Sequence, residues 1–197
     1  TYDRVMRNVL DAKDRGYSGD LVARMAFSDG GDILRDVTHL LDAGNEIFGH
    51  VHWQLDVFWS EIENREDITG FLDRYDDGIS RLVDHFLHHL RNGERPRIVP
   101  FIPLMNTLLT GIPSSLRCGS GIDSFSIMTS GEIHACPIAP ELPYSLVGHI
   151  SSSRPSDIAG SRPVGTPCIE CDIFGICGGR CLYSNMTMAW GRELFDR

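Results

Sequence analysis

CIECDIFGICGGRCLYSN, residues 168–185, places four cysteines at the spacing Cys-x2-Cys-x5-Cys-x3-Cys, with Gly175, Gly178 and Gly179 between them. Upstream, Cys118 and Cys136 flank Gly131, and these six are all the cysteines of the 197-residue chain. Thiolates packed this closely repel one another and oxidise unless something holds them, so the grouping points to bound metal. Three other fates compete: a structural zinc, for which Cys-x2-Cys is a common knuckle, a disulfide scaffold, and free buried thiols. The x5 and x3 gaps describe an open, winding loop instead of two facing knuckles. A loop of that kind, with glycines that let amides approach a sulfide, favours an iron–sulfur cluster over zinc.

Outward from this stretch, the composition narrows the class. With 42% hydrophobic residues the chain can bury a core without disulfides. The thiols are confined to the C-terminal part and nothing resembles a secretory signal, so the expected compartment is the reducing cytoplasm. The best apolar run, 98–109, is interrupted by Pro100, Pro103, Asn106 and Thr107, so no membrane segment is expected. A net charge of -9 without a basic cluster argues against nucleic acid as partner. Both termini read as cut. Thr1 opens directly into helical periodicity, and the chain stops at Arg197 just after an uncapped Trp190/Leu194/Phe195 pattern.

The N-terminal half alternates. Val5, Met6, Val9 and Leu10 share a helical face; residues 20–28 alternate like a strand; Asp32 caps a helix carrying Ile33, Leu34, Val37, Leu40 and Leu41. A strand over 50–58 and a long helix from Phe71 to Leu90, ended by Gly93, complete a helix–strand–helix–strand–helix order, that of parallel α/β units. Beyond Pro96 proline and glycine become frequent and long periodic segments vanish. The expected division is therefore residues 1–96 and 97–197. Within the second part, 123–129 and 132–136 around Ser130-Gly131 read as a β-hairpin, and 151–167 as a loop.

The full run, Cys118-x12-Gly131-x4-Cys136, gap, Cys168-x2-Cys171-x5-Cys177-x3-Cys181, resembles the SPASM domain of radical SAM peptide and protein maturases. Residues 1–95, with ARMAFS (23–28) and HVHWQLD (50–56), resemble the last two β/α units of the partial barrel in that family. The nearest group by resemblance is the archaeal-type peptide-modifying, PQQ-synthesis-like radical SAM/SPASM proteins. The resemblance implies an α/β chain: the C-terminal portion of a partial (β/α)6 radical SAM barrel, followed by a small cysteine-rich SPASM-type domain with a β-hairpin and loops. It further implies two auxiliary [4Fe-4S] clusters, one held by Cys118, Cys136 and Cys181, the other by Cys168, Cys171 and Cys177. Each is one thiolate short: either the family's seventh cysteine lies beyond Arg197 or the second cluster has an open or non-cysteine site, and a vacant iron on the first could bind substrate. The implied activity is modification of a peptide or protein side chain through a 5′-deoxyadenosyl radical made from S-adenosylmethionine. Its implied partners are a peptide or protein substrate, with a leader segment in some members, and a reductant or electron-acceptor protein. The Cys-x3-Cys-x2-Cys loop that activates the cofactor is absent from these residues.

Strand parity supplies a second set of candidates. His52, Gln54 and Asp56 share a face opposite Val51, Trp53, Leu55 and Val57, and Arg24 and Ser28 lie opposite Ala23, Met25 and Phe27. In a barrel the polar set faces the lumen, where Arg24, His52, Gln54 and Asp56 would bind cofactor or substrate; Asp56 is the expected partner of Arg24. The plain alternative is a network that merely satisfies buried polar groups. His85, His88 and His89 have metal-ligand spacing on the long helix but read as a solvated edge. His134 is either a donor to a cluster sulfur or a hairpin side chain. Glu61, Glu63, Glu66, Asp73, Asp76 and Asp77 read as a solvated helix entry. The rival function, from another class, is a non-enzymatic zinc-binding interaction module.

Overall fold

The computed structural model describes residues 1–43, 47–55 and 67–188. It divides the chain into two compact units, Thr1–Pro103 and Leu104–Arg197. The expectation for strand residues 56–58, including Asp56, and for the acidic entry at 61–66 falls outside the described residues.

In the first unit, α1 (Tyr2–Asp14) leads to β1 (Val22–Phe27), α2 (Ile33–Ala43), β2 (His50–Leu55) and α3 (Ile68–Arg91). The strands β1 and β2 pair in parallel, Val22 opposite His50 through Phe27 opposite Leu55, with α2 as the crossover. The next segment after α3 extends the parallel order. The Val51 amide donates to the Arg97 carbonyl at 2.8 Å, the Val99 amide donates to the Val51 carbonyl at 2.9 Å, and Ile98 is fully buried. This third rung is too short and too proline-flanked to be read as a strand from sequence.

Two of these helices, α2 and α3, begin where an aspartate side chain accepts a first-turn amide. The Arg35 amide donates to Asp32 at the start of α2, and the Gly70 amide donates to Asp67 at the start of α3. That first bond is the main reason the Asp32 carboxyl is held below its ordinary value, with Arg81 and Arg35 adding to it. The two helices approach closely at Gly78, where a Cβ would stand 2.5 Å from Ile33 Cγ2. Ile33, Val37 and Leu82 are buried there; Val51, Trp53, Phe86 and Phe101 fill the adjoining core, with Trp53 Nε1 donating to the Tyr75 hydroxyl at 2.8 Å. The apolar parity of the strands is the core-facing one: Ala23, Phe27, Val51 and Trp53 are buried.

The apolar run around Pro103 forms α4 (Phe101–Thr110). Pro103 is tolerated because it lies in the first turn, where its missing amide would have had no helical partner. In the second unit β3 (Ser126–Ile127) and β4 (Glu132–His134) form the expected hairpin, and β5 (Leu146–His149) adds a third antiparallel strand. Gly131 closes the hairpin at φ +91°, a region that disfavours side chains, and a Cβ there would meet His149 Nε2 at 2.6 Å. The stretch 151–167 is not wholly loop, since it contains the single turn α5 (Pro155–Ile158). The cysteine-rich stretch carries two more short helices, α6 (Phe174–Cys177) and α7 (Leu182–Thr187). Leu116, Ala135, Val164 and Leu182 form the buried centre of this unit, with Tyr144, Val147, Cys168 and Phe174 packed against it. The material is thus mixed α/β with small sheets.

Candidate functional site

The second unit assembles its cysteines from five separate pieces of chain. The segment leading to Cys118 lies along the Cys171–Cys177 turn: the Ser114 amide donates to the Gly175 carbonyl at 2.7 Å, and Arg117 Nη2 donates to the Ile176 carbonyl at 2.9 Å. Only glycine fits at 178, where φ is +73° and a Cβ would lie 2.2 Å from the Ser115 carbonyl oxygen. Cys136 leaves the end of β4 and is held from the other side by Ser145, whose carbonyl accepts the Ala135 amide at 2.7 Å and whose hydroxyl donates to the Cys136 carbonyl at 3.4 Å. Cys168 opens a short 3-10 turn to Glu170, Cys177 ends α6, and Cys181 caps α7.

The thiols act on one another in two sets. Burial, the largest influence, pushes the Cys136 thiol up; Cys181 and Cys118 add to the rise, while the Ile138 amide and the Ser120 hydroxyl oppose it. Ser120 also accepts from Cys118 Sγ at 3.3 Å, so one buried hydroxyl serves both cysteines. Burial likewise pushes the Cys168 thiol up first, followed by Cys177 and Cys171, with a hydrogen bond from Asn185 working against it. Cys136 is thus influenced by Cys118 and Cys181, Cys168 by Cys171 and Cys177, and all six thiols are free. Among the described residues no three His, Cys, Asp or Glu side chains are placed so as to hold a single metal ion.

Two residues beside the thiols carried no sequence signal of their own. Asn185, 6% exposed, accepts the Gly165 amide at 2.8 Å through Oδ1. Its Nδ2 donates to the Gly165 carbonyl at 3.2 Å, the Thr166 carbonyl at 3.3 Å and Cys168 Sγ at 3.6 Å. The Tyr144 hydroxyl is buried and has no hydrogen-bond partner among the described residues. Its ionisation is pushed up to about 12, by burial first and then by the Cys136 and Cys181 thiols. An unpaired buried hydroxyl costs ~1–3 kcal/mol, which makes its position notable. His134 is also buried, its Nδ1 unpaired among the described residues and its Nε2 3.9 Å from Glu132.

A thiol set suits an iron–sulfur cluster when its members are neighbours without converging on one ion, when amides and hydroxyls point at the sulfurs, and when small residues leave room. Both sets meet the first condition. The Ile138 amide, Ser120 and Asn185 supply donors, and Gly175, with open space where a Cβ would stand, supplies room. The residues present fit such a group.

On the parallel sheet, Arg24 lies opposite His52 and donates across to Gln54 Oε1. Gln54, not Asp56, is therefore the partner the described residues give it. Burial holds the His52 imidazole below its ordinary value, with the Arg24 charge contributing, and its Nδ1 has no partner among the described residues. The helix histidines associate by ring contact, His85 with His89 at 4.4 Å between centroids, while His88 meets Asn92 and His89 meets Glu94. They form no metal site.

No family model matches this chain, and no curated protein matches it. Solved structures do. Native anSMEcpe with bound AdoMet superposes with a TM-score of 0.61 at 18% identity, covering 92% of this chain and 52% of that one. The same protein with AdoMet and the Cp18Cys peptide gives 0.61 at 18% identity over the same shares, and with the Kp18Cys peptide 0.61 at 16%. The chain spans about half the length of these structures. At this identity the likeness is one of fold alone.

Proposed function

We propose that this chain is the auxiliary-cluster-bearing part of a radical SAM enzyme that modifies a peptide or protein side chain. What supports the reading is that Cys136 feels the charges of Cys118 and Cys181, while Cys168 feels those of Cys171 and Cys177. In this reading Cys118, Cys136 and Cys181 hold one [4Fe-4S] cluster, and Cys168, Cys171 and Cys177 hold a second. The clusters, when bound, supply one-electron acceptors or an open iron for substrate. The chain's own groups do the rest. The Ile138 amide, Ser120 and Asn185 aim donors at ligand sulfurs, and the Leu116–Leu182 core keeps water from the buried Cys136 side.

Arg24, His52, Gln54 and Asp56 are proposed to bind cofactor or substrate. Arg24 is suited to a carboxylate, and His52 offers an unpaired ring nitrogen. Residues 1–96 are read as the end of the barrel and 97–197 as the cluster domain. The fold shared with structures bearing AdoMet and peptides supports S-adenosylmethionine and a peptide partner for the longer protein. A reductant or electron-acceptor protein completes the proposed partners. The proposed compartment is the cytoplasm; no helix among the described residues is long and apolar enough to cross a membrane.

The test is anaerobic reconstitution of the chain. Two clusters' worth of iron and sulfide with brown visible absorption is the expected result, reduced to one cluster by Cys168→Ala/Cys171→Ala. A colourless protein that takes up stoichiometric zinc and no iron would replace this reading with that of a zinc-binding interaction module.

A further inference from the structure

The Tyr144 hydroxyl in the second unit is buried and has no hydrogen-bond partner among the described residues. The residue is fixed from several directions. Its carbonyl accepts Arg162 Nε at 2.6 Å, and Arg162 Nη2 also donates to the Leu146 carbonyl at 3.2 Å, so the backbone on either side of Ser145 is held by one guanidinium. Ser145 is fully buried and bonds to the backbone at both Ala135 and Cys136. The ring packs on a cluster that includes Ala135 and Leu182, the chain neighbours of Cys136 and Cys181. Aliphatic walls give a phenol nothing to donate to, and the Cys136 and Cys181 thiols are the first groups, after burial itself, that act on it.

Buried hydroxyls are retained when they meet an acceptor. A phenylalanine would fill the same space against Leu116, Val164 and Leu182 without a polar atom to satisfy. The acceptor that fits this place is a sulfur, and a sulfur carrying full negative charge accepts far better than a neutral thiol. Hydrogen bonds to sulfurs raise the reduction potential of an iron–sulfur cluster, because the reduced state carries more negative charge for the donor to stabilise.

We propose that the Tyr144 hydroxyl donates a hydrogen bond to the sulfur shell of the cluster held by Cys118, Cys136 and Cys181, making Tyr144 a positioning residue that sets the potential of that cluster alone. This rests on the cluster reading given above. Ser120 and the Ile138 amide serve the same set from other sides, so removing the phenol should alter the cluster's energy without emptying its site.

The experiment is a redox titration of the anaerobically reconstituted chain, followed by EPR, on wild type and Tyr144→Phe, with iron and sulfide measured on both. The expected result is equal iron content, one midpoint moved in the negative direction and the other unmoved. A tenfold change in the reduction equilibrium corresponds to about 59 mV for a one-electron couple. Full loading with both midpoints unchanged, or with both shifted alike, overturns the assignment and leaves the cluster reading standing. A Tyr144→Phe protein that loses only the first cluster's iron overturns the potential-setting role, and Tyr144→His, which restores a donor, then separates lost donation from lost packing. Wild type that takes up no iron overturns the cluster reading, and this assignment falls with it.

Discussion

Asn185 is buried, and its amide is spent entirely on neighbours: both polar groups of Gly165, the Thr166 carbonyl and Cys168 Sγ. Asn185→Ala leaves those buried backbone groups unpaired, and the expected loss is about 2 kcal/mol, read as a shift in the urea midpoint. The same variant should loosen iron at the Cys168 set before the Cys118 set. Two histidines give a second prediction. Burial holds His52 and His85 below their ordinary values, with Arg24 adding to the first, and His89 and His88 adding to the second against Asp42. A histidine that resists protonation when folded leaves the unfolded chain binding more protons as pH falls below about 6.5, so stability is lost in that direction. The melting temperature should therefore be higher at pH 7.5 than at pH 5.5, and His85→Gln should flatten that difference.

At the scale of elements, the α2–α3 crossing depends on the missing side chain at Gly78. Alanine in an exposed helix interior is favoured over glycine by about 1 kcal/mol, yet here its Cβ meets Ile33, which is 1% exposed and has nowhere to move. Gly78→Ala should lower stability by about 1–2 kcal/mol, and pairing it with Ile33→Ala should cost less than the sum of the two, measured as a double-mutant cycle by denaturation. These helices and strands were legible because their apolar residues repeat at 3.6 or 2 over long stretches. Val51 and Trp53 against His52 and Gln54 is one such alternation, and the structure buries the apolar pair. The rung at 97–99 was not legible, since three residues cannot display a period. Nor was β5, whose four residues Leu146–His149 pair only because Arg162 and Ser145 hold the chain beside β4.

For the whole molecule, the sequence pattern alone pointed to a cysteine-rich unit after an α/β unit, and the structure divides at Pro103 instead of Pro96 because Ile98 and Phe101 complete the first core. Cysteine spacing supplied the proposed ligands, whereas Tyr144, Ser120 and Asn185 were invisible beside them: their placement comes from backbone paths between distant segments, which spacing does not encode. The 197 residues contain no Cys-x3-Cys-x2-Cys loop. The isolated chain should therefore release no 5′-deoxyadenosine from S-adenosylmethionine under reducing, anaerobic conditions, as measured by chromatography; detectable product would place cofactor activation on other residues.

The pairing of Cys181 with Cys118 and Cys136 has a consequence for biosynthesis. Chain emerging from the ribosome presents Cys118 and Cys136 early, then all of Cys168, Cys171 and Cys177, and only afterwards the residue that completes the first set. The set that starts first is finished last. Until Cys181 and its neighbour Leu182 have been translated and have left the ribosome, Cys136 lacks part of both its electrostatic and its apolar surroundings, so on the cluster reading proposed above the first set is completed only after the whole stretch has been made.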